Sequence, residues 1–90
     1  MSTIERRREP RRPATGLVHL ETTSHPSRVV EASLLDVSAS GFRAAHADWN
    51  LTPGLRVRFS HQAASGEAVV VWTRILGAEA TSGFLILTPA

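Results

Sequence analysis

The sequence predicts an all-β domain, a six-stranded antiparallel barrel behind a flexible N-terminal arginine arm, with little or no C-terminal helix. Three observations predict it. Six short runs are rich in β-branched and aromatic residues. Gly, Pro and Ser fall between them. Only residues 45–51 have any helical character. Short strands with regular turn signals favour a barrel or sandwich, and closure leaves no long exposed edge.

The elements follow in order. The arm is residues 1–13 and the barrel domain residues 14–90. Pro10 and Pro13 disfavour helix at the residues before them, so the arm reads as extended and mobile. TGLVHLET (15–22) is the first strand, and a turn around SHPS follows. RVVEASLLDV (28–37) is a long strand that breaks at SASG, and FRAAH (42–46) resumes the sheet. AHADWNL (45–51) is the helical candidate, ended by Pro53–Gly54. LRVRFS (55–60) alternates, with Leu55, Val57 and Phe59 inward and Arg56, Arg58 and Ser60 outward. EAVVVWTRI (67–75) and GFLILT (83–88) complete the set. Gly54, Gly66, Gly77 and Gly83 read as turns or strand ends. Trp72, at the end of an apolar strand, reads as core. Trp49 or Trp72 is the expected closure of a barrel mouth that no helix covers, unless another chain covers it.

Ninety residues suit one domain with a modest core, 42% of them hydrophobic and 20% charged. With no cysteine, thiol catalysis and thiolate metal sites are excluded, and a reducing compartment is suggested. The start has no apolar run of signal-peptide length, and no segment approaches the ~20 apolar residues of a membrane span. A cytoplasmic protein without membrane insertion is expected. The four histidines lack metal-ligand spacing, and neither a nucleophile elbow nor a phosphate-binding loop is present. A binding module without catalytic activity, metal or cofactor is therefore the expectation.

Charge is unevenly spread. All ten basic residues are arginine, and five lie between positions 6 and 12. Residues 1–12 carry five Arg against Glu5 and Glu9, a net +3. The other 78 carry five Arg against six acids, a net −1. A near-neutral body with a basic arm points to an anionic partner. Guanidinium stacks on bases, forks onto phosphate and bonds guanine O6 and N7, which suits a ligand holding both bases and phosphates. A solvated tail or a non-specific nucleic-acid arm is the plainer reading.

The second motif is DVSASG (36–41). Asp36 accepts only, so it can take the N1–H and N2–H of a guanine, and Ser38 can donate or accept. Gly41 allows a turn or a close approach that a Cβ would forbid. Alone, the motif reads equally as a bend with local side-chain bonds. Parity is awkward, since Val30, Ala32 and Leu34 share a side with Asp36. The polar pair must lie beyond the core or past a twist.

Taken together, RRREPRRP, DVSASG, VVVW and GFLIL resemble the PilZ domain family, in order and spacing, from about Glu5 to Leu87. The resemblance implies a six-stranded barrel that binds cyclic di-GMP, a bacterial second messenger, through an Arg-x-x-x-Arg arm and an Asp/Asn-x-Ser-x-x-Gly strand end. Asp36, Ser38 and Gly41 match the second motif. Arg7 and Arg11 fit the first best, because Glu5, Pro10 and Pro13 also match a frequent family pattern, and Arg8 with Arg12 is the other register. Arg6 is then the neighbouring phosphate contact, and Gly83 matches a last-strand glycine close to the ligand. The implied mechanism is ligand-driven ordering of the arm onto the barrel, with a downstream protein partner reading the altered surface. A PilZ-fold adaptor that binds protein and no nucleotide is the alternative. A general nucleic-acid binder is disfavoured by the slightly acidic body and the lack of alternating surface aromatics.

Overall fold

Period-two alternation builds this molecule, and two interruptions of it shape the surface. The structure is a computed structural model that describes residues 10–23, 26–48 and 50–87. Seven strands run in chain order: β1 (Arg12–Pro13), β2 (Leu17–Thr22), β3 (Val29–Val37), β4 (Gly41–His46), β5 (Arg56–His61), β6 (Ala64–Leu76) and β7 (Glu79–Ile86). All pairings are antiparallel. The order β3–β2–β5–β6–β7–β4 closes through β3–β4 into the expected six-stranded barrel, and β1 adds to β3.

β1 and β2 are successive partners of the same edge of β3. β2 covers Val29 to Ser33 and β1 covers Asp36 and Val37. Between them the chain bends at Gly16, whose φ of +114° an L side chain rarely adopts. Ala14 N–H still donates to Leu35 O, and Gly16 O accepts from Leu34 N–H. The end of the expected arm is thus already laid on the sheet.

The inward residues form one cluster: Val18 and Leu20, Val30, Ala32 and Leu34, Phe42 and Ala44, Val57 and Phe59, Ala68 and Val70, and Phe84. The Phe42 ring stacks on Phe84 at 4.7 Å and meets Phe59 at 4.9 Å, a preferred aromatic separation. Leu51, on the β4–β5 connection, is wholly buried and joins this cluster.

Several expectations are corrected. Residues 45–51 hold no helix: β4 runs through His46, and Asp48 then caps a tight turn by accepting the Asn50 N–H at 2.8 Å. Gly66 and Gly83 lie inside β6 and β7, because both strands are longer than their apolar stretches suggest. Trp72 is absent from the core and does not close a mouth; it lies on the outer face across Gly83. Trp49 falls outside the described residues. No helix is found among the described residues, so none is long and apolar enough to cross a membrane.

Candidate functional site

Leu34 pairs with Ala44 and Asp36 with Arg43, so Leu35 is an extra residue on β3, a bulge. The alternation resets there. Val37 packs on the core opposite Phe42, and Asp36 turns to the outer face with Arg43. This resolves the parity problem: Asp36 is not a charge inside the barrel. It is 6% exposed because arginines cover it.

Arg43 donates from Nε to Asp36 Oδ2 at 2.7 Å, and from Nη2 to the same oxygen. Arg11 donates from Nη1 to Oδ1 at 2.8 Å. Burial by itself raises the Asp36 carboxyl pKa, but Arg43, then Arg11, hold it below its ordinary value. The Arg43 guanidinium is in turn stabilised in its charged form by its bond to Asp36, against some desolvation. The expected arm and the expected strand end are therefore in direct contact.

The neighbouring turn is tight. Ser38 N–H donates to Gly41 O at 2.9 Å, and Ile86 N–H to Ser40 O at 2.8 Å. Ser38 Oγ lies 3.5 Å from the same Gly41 carbonyl, a long contact that leaves its hydroxyl largely uncommitted. Gly41 is required by packing: a Cβ there would collide with the backbone carbonyl of Phe84 on β7.

A second bulge matches the first. Val70 pairs with Phe84 and Trp72 with Gly83, so Val71 is extra and the Trp72 side chain turns outward. Gly83 also pairs with Arg43, which makes one outer row of Asp36, Arg43, Gly83 and Trp72 across β3, β4, β7 and β6. A Cβ on Gly83 would strike the Trp72 indole, so glycine lets the ring lie down on the sheet. The Arg74 guanidinium stands 6.0 Å from the ring centroid, at the limit of a cation–π contact.

Of the expected site residues, Arg11 and Asp36 touch, Ser38 and Gly41 form the adjacent turn, and Gly83 lies two strands from Asp36 in the same row. Arg6 and Arg7 lie outside the described residues, as does Arg8. Arg12, of the other register, points away from Asp36 and lines the barrel mouth with Ser38. Arg43, Trp72 and Arg74 were not anticipated at the site. The signal for Arg43 was there: a hairpin turning at Ala39–Ser40 pairs Val37 with Phe42 and hence Asp36 with Arg43.

One further polar cluster resembles a catalytic pair and is not built as one. Thr73 Oγ1 spends its proton on Leu51 O at 2.6 Å, so Ser82 Oγ donates to Thr73 Oγ1 at 2.6 Å. His46 Nε2–H then donates to Ser82 Oγ at 2.7 Å, while Nδ1 accepts Asp48 N–H at 3.2 Å. Ser82 is fully buried and His46 nearly so. The ring donates to the hydroxyl, the reverse of a general base, and no substrate can reach it. Burial lowers the His46 pKa, with Asp48 opposing. Among the described residues no group of three or more His, Cys, Asp or Glu is placed to hold a metal.

No protein-family model matches the chain, and no curated protein matches it either.

Proposed function

We propose that this protein is a cytoplasmic bacterial receptor for cyclic di-GMP, held between the arginine arm and the outer row beside Asp36. The observation that carries this reading is the Arg11–Asp36 contact. Residues 25 apart in sequence, each singled out for guanine chemistry, meet at 2.8 Å next to the Ser38–Gly41 turn. Asp36 accepts three hydrogen bonds from two arginines, and a carboxylate has about four acceptor positions. A guanine edge would therefore take the remaining position or displace Arg11. A displaced Arg11 is free to fork onto phosphate or stack on the base. The Trp72 ring, exposed in part on the same row, offers a second stacking face. Binding in this way exchanges one set of charge-assisted bonds for another and moves the arm, which alters the surface offered to a downstream partner.

A second reading is favoured by the same carboxylate. Arg43 and Arg11 already satisfy it, so the motif serves equally as a staple in a PilZ-fold adaptor that binds protein and no nucleotide. Calorimetric titration of cyclic di-GMP into the chain and its Arg7→Ala, Arg11→Ala and Asp36→Asn variants separates the two. The receptor requires saturable binding by the parent at micromolar protein, weakened by added salt and by each substitution. Absence of binding leaves the adaptor; equal affinity for random oligonucleotides leaves a general nucleic-acid binder; binding that survives every substitution means the ligand sits elsewhere.

A further inference from the structure

The two ends of the barrel differ. At one end Leu51, on the β4–β5 connection, is wholly buried in the core. At the other, where the β3–β4 and β5–β6 hairpins lie, the mouth opens into a cavity of about 360 Å³. Val37, Phe59 and Ile86 form mainly apolar walls, and Arg12, Ser38, His61 and Ser65 supply the polar groups. That size and lining fall in the range of small-molecule sites, roughly 300–1,000 Å³ with a few placed polar groups.

The polar groups have definite states. Arg11 and Arg12 diverge because neighbouring residues on an extended segment face opposite ways. Arg11 goes to Asp36 on the outer face, and Arg12, paired with Val37, goes to the mouth. Arg12 makes no ion pair among the described residues. His61 Nδ1 accepts the Ala63 N–H at 3.2 Å, so the neutral ring carries its proton on Nε2. Its ring lies edge-on to Phe42 at 5.3 Å, and burial lowers its pKa, which keeps it a neutral donor at pH 7. The mouth therefore presents one cation and three neutral polar side chains, Ser38, His61 and Ser65, above a carbon floor.

We propose that this mouth binds a small carboxylate with an aromatic or branched aliphatic body, its carboxylate on Arg12 and Ser38 and its body against Phe59, Val37 and Ile86. A lone guanidinium matches one carboxylate through a forked pair of bonds and cannot neutralise a dianion. A cationic ligand would be repelled, and a neutral one would leave Arg12 unused. The proposal does not rest on cyclic di-GMP binding, although Ser38 borders both sites.

The test is a titration of the ¹⁵N-labelled full chain with sodium benzoate and with benzyl alcohol, followed by amide chemical shifts at pH 7.5. Benzoate should give saturable shifts confined to Arg12, Ser38, His61 and Ala64, with half-saturation on the order of 1 mM, ordinary for a ligand of that size. Benzyl alcohol should bind about tenfold more weakly, the loss of one charge-assisted contact. Arg12→Gln should weaken benzoate by the same factor and leave benzyl alcohol unchanged. Ala64→Met, which fills the mouth, should abolish both. Shifts that fail to saturate by about 10 mM, that map elsewhere, or that ignore Arg12→Gln would overturn the assignment.

Discussion

Replacing Asp36 by Asn keeps the size of the side chain and discards the charge on which two arginines converge. Arg43 makes two bonds to Oδ2 and Arg11 one to Oδ1. The carboxylate is 8% exposed, but the guanidiniums are 42% and 45% exposed, so water screens their half of each pair. Screening places the couplings at the surface end of the range, about 1 kcal/mol for the two-bond Arg43 pair and about 0.5 kcal/mol for Arg11. Asp36→Asn should therefore cost roughly 1.5 kcal/mol, a fall in Tm of roughly 6–12 °C for a two-state domain of this size. Urea unfolding at pH 7 of the parent, Arg11→Ala, Arg43→Ala, Asp36→Asn and the two double variants yields both couplings. The pH dependence gives a second reading. A carboxylate whose folded pKa is depressed stabilises the fold above its unfolded value, near 3.8, and this is lost as pH falls through the folded value. The gap between parent and Asp36→Asn should hold steady above about pH 5 and close below about pH 4. A variant as stable as the parent at pH 7, or a gap that persists unchanged in acid, would refute the ion-pair account.

Three other outcomes follow from the geometry. Gly41→Ala should destabilise by about 2–3 kcal/mol in urea, the cost of overpacking against β7 backbone, whereas alanine for glycine in an open strand gains up to about 1 kcal/mol. Gly83→Ala should lift the Trp72 indole off the sheet, seen in a Trp49→Phe background as a red-shifted emission, at a cost of about 1–2 kcal/mol. His46 and His61 have folded pKa values lowered by burial, so the unfolded chain binds more protons and stability should fall as pH drops below about 6.5. The slope is at most about 1.4 kcal/mol per pH unit for each histidine, and His46→Gln should reduce it.

The strands were legible because most of them alternate or run apolar for a full strand length. Leu55, Val57 and Phe59 point inward as their spacing requires, and the barrel follows from six such segments that must hide their edges. The start of β7 was not legible: EATSG pairs with β4 and β6 using small side chains whose composition resembles a loop. β1 was hidden for a related reason, since two residues carry no period. At the site, the Asp36 motif and the arm were legible as chemistry, but their junction depends on β3 presenting an edge where β2 stops. The bulges left only a faint trace. Leu34–Leu35 places a second leucine where alternation wants a polar residue, and Val69–Val70–Val71 is apolar throughout, so a one-residue slip is invisible in it.

Those two slips explain why the outer row exists. With unbroken alternation Asp36 would follow Val30, Ala32 and Leu34 into the barrel, where an ionised carboxylate costs several kcal/mol unless fully paired. Trp72 would likewise follow Val70 inward, into space that Phe42, Phe59 and Phe84 already fill. The Leu35 and Val71 bulges avert both, and both act at the level of the Arg43–Gly83 pair. A staple for the arm needs the first bulge alone, because Asp36, Arg43 and Arg11 complete it. The second bulge adds an indole on bare backbone, one glycine away from the same guanidinium. An interior aromatic turned to water gives up burial that folding would otherwise use, and bulges concentrate where a side chain must be re-aimed. The proposed base-stacking role beside Arg43 would account for that second bulge, whereas stapling alone would not.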